Sequence, residues 1–290
     1  MKLARFKRGE TLSWGVLTQN DVSDIKQNAP FLPASIVDFL QYKDELTPLL
    51  ERCSKGVARY PLDEIELLSP VARPGKILAI ARNYAKHAAE MGEAPPEGQR
   101  WFSKMATAIN DPHGKVELPA VSDKLDYEAE LVVVIGKYGR NVPVERAMEI
   151  VGGFTCGCDY SVRDWQKASP TMMMGKGFDS HAPIGPCIVT PDEIGDYREL
   201  RLRCLVDGEE RQNGSAGDMI HDIASQIAHL SAAFTLEPGD LIFTGTPDGV
   251  AMAMDPPAWL KVGQRVRVEI DRIGVIESEI VAGRSECVIR

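Results

Sequence analysis

Asp126-Tyr127-Glu128-Ala129-Glu130-Leu131-Val132-Val133-Val134-Ile135 begins with alternating acids and ends in an unbroken apolar run. Side chains alternate faces along a strand, so Glu128 and Glu130 point the same way. Two carboxylates side by side repel each other, and a divalent cation offsets that directly. A solvated strand edge, charged to discourage aggregation, is the competing explanation. The run from Leu131 to Ile135 favours burial, because buried acids are rarely left unpaired.

Working outward, Phe154 to Asp159 reads as a second strand, and Asp159 at its end offers a third oxygen ligand. Three carboxylates completed by water suit Mg²⁺ or Mn²⁺, which prefer octahedral oxygen ligation. An Asx turn or a helix N-cap would explain Asp159 equally well. Lys176 lies between Gly175 and Gly177, after Met172-Met173-Met174. Glycines on both sides allow close backbone approach, and a lysine among apolar residues can bind an anionic or developing enolate oxygen. A surface lysine in a loop is the plainer explanation. His87 and Glu90 stand three residues apart in Asn83 to Met91, and so share one face of a helix. A carboxylate beside a histidine fixes its tautomer and raises its basicity, as a general base requires. An exposed helix pair has the same spacing. Thr244-Gly245-Thr246-Pro247 follows an apolar strand and offers hydroxyls and N–H groups to a carboxylate, or is an ordinary turn.

Composition bounds the rest. Of 290 residues, 44% are hydrophobic and 26% charged, ordinary for a soluble globular chain. The net charge of −9 repels phosphate backbones and argues against a nucleic-acid partner. A small anionic substrate then needs a local positive site, which a metal ion can supply. Met1 to Gly9 is basic without a following apolar run, unlike a signal peptide, and no stretch is long and apolar enough for a membrane span. The expectation is a cytoplasmic protein with no membrane partner. Cys53, Cys156, Cys158, Cys187, Cys204 and Cys287 match neither a disulfide scaffold nor a zinc site, and are expected to be buried free thiols.

The fold class expected is α+β and rich in β, built around a sandwich or rolled sheet. Ser69 to Gly75 reads as a linker. It divides a small N-terminal α+β domain, residues 1–72, from a catalytic domain, residues 73–290. A helix or helix pair interrupted near Pro48 is expected in Ser35 to Arg52. Further helices are expected at Asn83 to Met91 with Asn83 as N-cap, at Pro143 to Val151, and over Ile220 to Phe234 with Asp218 as N-cap.

Taken together, the segments resemble the fumarylacetoacetate hydrolase family. The resemblance runs from Arg73 to Val281. It rests on eight pieces in order: 81–87 (Ala-Arg-Asn-Tyr-Ala-Lys-His), 102–104 (Phe-Ser-Lys), 126–131, 159–164 (Asp-Tyr-Ser-Val-Arg-Asp), 175–179 (Gly-Lys-Gly-Phe-Asp), 218–220, 236–240 and 244–250. It implies a β-rich catalytic domain of the family's own fold, a homodimer, and Glu128, Glu130 and Asp159 as ligands of Mg²⁺ or Mn²⁺. It implies Lys176 as substrate anchor, His87 with Glu90 as a dyad on a mobile lid, and Thr246 near the substrate carboxylate. Arg82, Lys104 and Gln166 fall at pocket-lining positions. Departures from the family pattern are Ala216-Gly217 before Asp218-Met219-Ile220, the short segment between Gln166 and Gly175, and His181. The activity implied is hydrolysis of a carbon–carbon bond in a small 2-oxo or 1,3-dicarbonyl acid. Decarboxylation, or keto–enol or double-bond isomerisation, at the same metal site is the alternative.

Overall fold

The computed structural model describes residues 1–94 and 96–289. Pro95, which follows the helix expected at Asn83 to Met91, lies outside them. The strand Ala129–Ile135 occupies the middle of a 12-stranded sheet, between Val151–Cys158 and Leu241–Phe243. Its apolar run needs no polar face, because both faces are covered. Leu131, Val133 and Ile135 join one core, with Val266, Val268, Ile276 and Ile280 of a second, five-stranded sheet. Val132 and Val134 join the other, with Ile36, Phe39, Leu40 and Leu50 of the N-terminal helices. Both sheets are open, and the fold is α+β as expected.

Beyond Leu241–Phe243 the sheet continues through Ile77–Ala81, which pairs parallel to it, to Arg100–Lys104 at the edge. In the other direction it passes through Ala182–Val189 to the strands before residue 72. Lys2–Arg8 joins Ala182–Val189 through the pairs Lys2↔Val189 and Leu3↔Ile188. The N-terminal strands therefore extend the same sheet as the later ones, with their helices packed over it.

Several local expectations shift. The helix pair is Ile36–Gln41 and Lys43–Cys53, broken at Tyr42, while Pro48 is accommodated inside the second helix. Val144–Ile150 is a 3₁₀ helix. The amphipathic helix is Ile223–Ala233, and its N-cap is Asp222, which accepts from Ser225 N–H, rather than Asp218. All six cysteines are free; Cys156, Cys158, Cys187 and Cys204 are buried, whereas Cys53 is half-buried and Cys287 exposed.

Candidate active site

Antiparallel pairing of Ala129–Ile135 with Val151–Cys158 sets Ala129 opposite Cys158, so Asp159 emerges beside Glu128. Asp159 N–H donates to the Glu128 carbonyl at 2.8 Å. Glu128 and Glu130 share a face as their parity requires, although the strand itself starts only at Ala129. Carboxylate oxygens of Glu128, Glu130 and Asp159 all lie within 4.8 Å of one another, and all three residues are buried.

Three buried cations surround this triad. Lys176 donates to Glu128 Oε2 and to Asp159 Oδ2, the latter at 2.8 Å. Lys104 donates to Asp159 Oδ1 at 2.6 Å and to the carbonyls of Tyr160 and Lys176. Arg163 Nε donates to Asp126 Oδ2 at 2.8 Å, and its Nη2 lies 2.8 Å from Glu128 Oε1. Burial alone would raise the Glu128 pKa, but Lys176 and Arg163 outweigh it and hold the carboxyl far below its usual range. Burial opposes the charge on Lys176, yet Asp159 and Glu128 keep its pKa above the ordinary lysine value. Glu130 is the exception. Burial, together with Asp159 and Glu128, pushes its pKa well up, and the charge of Lys176 and Gly245 N–H at 2.7 Å compensate only in part. A buried carboxylate with no direct ion pair of its own, only partly offset by Lys176 and facing two others, is the donor chemistry a hard divalent cation satisfies. These residues fit such an ion.

Above the triad lies a cavity of about 170 Å³, below the range typical of drug-sized ligands and suited to a small acid. His87, 6% exposed, lines it from the short helix Ala85–Glu90. His87 Nδ1 is 2.7 Å from Glu90 Oε1, and Glu90 Oε2 accepts from Gly249 N–H at 2.8 Å. The carboxylate is thereby fixed at both oxygens, which leaves His87 Nε2 as the ring nitrogen available to the cavity. Gly249 can only be glycine: its φ is +104°, and a Cβ would fall 1.9 Å from the Arg211 carbonyl oxygen.

Arg82, Glu128, Glu130, Gln166, Lys176 and Thr246 also line the cavity. Arg82 has left-handed φ of 58° and pairs with Glu93. The Thr246 hydroxyl donates to the Ala129 carbonyl at 2.9 Å and accepts from Gln212 at 2.8 Å. Lys104, expected at the pocket wall, is not there. It is fully buried behind Asp159, because its edge strand Arg100–Lys104 directs it beneath the triad. Asn83, expected as a helix cap, does not cap, since Tyr84 takes that position. It is fully buried, and its side chain bonds Thr244 and His221 instead.

Arg163, Phe102, Met172 and Met252 reach the cavity without having been singled out as site residues. For Arg163 a signal existed. Asp126 is a third acid before a buried strand, and such an acid demands a cationic partner. Gln166, three residues after Arg163, accepts from Arg163 Nη1 at 2.9 Å, which orients its amide.

The fumarylacetoacetate hydrolase C-terminal family model matches residues 76–281. Among curated proteins, the chain is 38% identical over 263 residues to the mitochondrial oxaloacetate tautomerase FAHD2A of Bos taurus, covering 90% of this chain and 84% of that one. Among solved structures, maleylpyruvate hydrolase from Sphingobium sp. SYK-6, in complex with manganese(II) and pyruvate, superposes with a TM-score of 0.83 at 31% identity over 98% of this chain and all of that one. The 5-carboxymethyl-2-hydroxymuconate delta-isomerase of Mycobacterium smegmatis does so with a TM-score of 0.79, also at 31% identity, over 98% of this chain and all of that one. No helix among the described residues is long and apolar enough to cross a membrane. With the family's domain spanning most of its length, and six of the eight segments lending side chains to one buried acidic cavity, this chain belongs to the fumarylacetoacetate hydrolase family.

Proposed function

We propose that this chain is a Mg²⁺- or Mn²⁺-dependent enzyme that shifts a proton on a small anionic 2-oxo acid, interconverting the keto and enol forms of an oxaloacetate-like substrate. The observation that carries this reading is the His87–Glu90–Gly249 chain of contacts at the mouth of a small cavity floored by acids. The similarity to an oxaloacetate tautomerase supports the choice of chemistry.

Glu128, Glu130 and Asp159 would hold the divalent ion, whose Lewis acidity would be supplied to the 2-oxo acid group. The chain's own residues do the remainder. Arg163, Gln166 and Lys176 form a polar wall that orients the anionic end of the substrate. His87 Nε2 removes a proton from the carbon next to the ketone, and the imidazolium delivers it to the enolate oxygen; in the reverse direction His87 takes the enol hydroxyl proton and returns it to that carbon. Glu90 holds the imidazole in the tautomer that leaves Nε2 basic, and steadies the imidazolium that forms. Lys176 adds positive charge where the enolate oxygen develops. Met252, Met172 and Phe102 narrow the cavity and limit the water inside it.

Hydrolysis of a carbon–carbon bond in an acylpyruvate is the second reading. The same dyad could deprotonate water, and the maleylpyruvate hydrolase likeness favours it. The two are separated by incubating the enzyme and Mg²⁺ with enol oxaloacetate and with a set of acylpyruvates. Faster loss of the enol absorbance, with no new product by mass, supports tautomerisation. Release of pyruvate from an acylpyruvate at a higher kcat/KM supports hydrolysis instead.

A further inference from the structure

The buried charges of the site nearly cancel before any ligand is counted. Asp126, Glu128, Glu130 and Asp159 are set against Lys104, Arg163 and Lys176, four acids against three cations. A divalent ion reverses the small remaining negative charge to a positive one, and a dianionic substrate reverses it back. Buried clusters that stray far from neutrality are costly, so the ion and the anion should each be better tolerated when the other is present.

The three cations differ in what they could yield. Arg163 is shared between Asp126 and Glu128 Oε1, and Lys104 is held by Asp159 and two carbonyls, so each meets a single acid of the triad. Lys176 differs: its ammonium sits between Glu128 Oε2 and Asp159 Oδ2, two of the three carboxylates of the triad. It also lies 4.9 Å from the centroid of the Phe102 ring, a cavity wall and an alternative seat for a cation.

We propose that Lys176 competes with the divalent ion for Glu128 and Asp159, and that an anionic substrate relieves the competition by drawing the Lys176 ammonium toward the cavity. Metal and substrate then bind synergistically: the ion loosely alone, and tightly once the anion is present. This rests on the divalent-metal reading above and goes beyond it, because it assigns the lysine a cost in metal affinity as well as a use in substrate binding.

The test is Mn²⁺ binding by titration calorimetry, with Mn²⁺ alone and with Mn²⁺ plus oxalate as an unreactive dianion, on wild type, Lys176→Met and Lys176→Gln. Glutamine keeps a hydrogen-bond donor for Glu128, so it reads the effect if the methionine variant does not fold. Removing a cation this close to two ligands should tighten Mn²⁺ binding alone by about tenfold or more. The gain on adding oxalate should be smaller in both variants than in wild type. Mn²⁺ affinity equal to or weaker than wild type in a folded variant overturns the proposal. Glu130→Gln is the separate control: if it binds Mn²⁺ as well as wild type does, the metal reading itself fails, and this proposal with it.

Discussion

The carboxamide of Asn83 pairs with the backbone of His221 in both directions, donating to the His221 carbonyl at 2.9 Å and accepting from its N–H at 2.8 Å. Its second amide hydrogen reaches the Thr244 carbonyl at 2.8 Å. The root of the helix that carries His87 is thus tied to the segment that supplies Gly245 and Thr246. Asn83→Ala leaves buried groups unpaired on two other segments, and should cost about 2–3 kcal/mol of stability. Denaturant unfolding measures the loss. Amide exchange across Ala85–Glu90 should quicken more than across Ala129–Ile135, and equal change in both would show that Asn83 does not anchor the root of this helix.

His87→Ala should lower kcat by ~10²–10⁴-fold, the usual contribution of a general base. It should leave Mn²⁺ affinity near wild type, because His87 is not one of the three carboxylate donors. Glu90→Gln should lose less, since it disturbs orientation and not the base. Steady-state kinetics with parallel metal titration checks both, and loss of metal in His87→Ala would mean that the ligand set is wrong.

Glu130 links pH, metal and stability. Its pKa in the fold is raised well above 4.5 by burial and by Asp159 and Glu128. The folded chain then binds more protons than the unfolded one above pH 4.5, so stability attributable to this group falls as pH rises through that window. In EDTA at pH 7, Glu130→Gln should therefore melt above wild type. With saturating Mn²⁺ the order should reverse, because only the wild type keeps all three carboxylate ligands. A melting temperature for Glu130→Gln at or below wild type in EDTA would contradict the assignment.

His181 works in the opposite sense. Burial pushes its pKa down to about 3 from an ordinary 6.5, against the opposing contact of Nε2 with the Glu117 carbonyl at 2.7 Å. The unfolded chain takes up the proton first. The stability this group contributes is complete above pH 6.5 and declines as pH falls toward 3, by about 1.4 kcal/mol per pH unit at most. In His181→Gln the slope of unfolding free energy against pH should flatten between pH 6 and 4. An unchanged slope would remove His181 from the acid response.

A homodimer is the expectation carried by the family. Light scattering at micromolar concentration should give twice the chain mass of 31.9 kDa, and a monomer mass would count against it.

Two acids of the triad were legible because strand parity is a local property: Glu128 and Glu130 had to share a face, and the run after them called for burial, whereas Asp159 was open between a ligand and a turn or cap until the family resemblance assigned it. The His87–Glu90 contact was legible for the same reason, from helical spacing. Arg163 and Lys104 were harder. Arg163 meets Asp126 across 37 residues and Lys104 meets Asp159 across 55, and pairing at such distances leaves no local periodicity. The helix caps failed at Asn83 and Asp218 because better-placed demands claimed those positions. Asn83 is drawn to His221 and Thr244, and Asp222 stands nearer the true start of its helix.

The strand Ala129–Ile135 is covered on both faces, and two of the three triad acids stand at its start, whereas His87 belongs to a short segment on the cavity's outer side. The two halves of the chemistry thus face different mutational constraints. A change in the strand disturbs two cores at once, so drift there is closely policed by stability. In the outer half, Ala85, Lys86 and Ala89 are exposed and can vary with little penalty to folding, although His87 and Ala88 are buried. New substrate preferences should therefore arise first at the lining residues Met91, Glu93, Met172 and Met252, where a relative can acquire a different acid without rebuilding the seat for the ion or the His87–Glu90 pair.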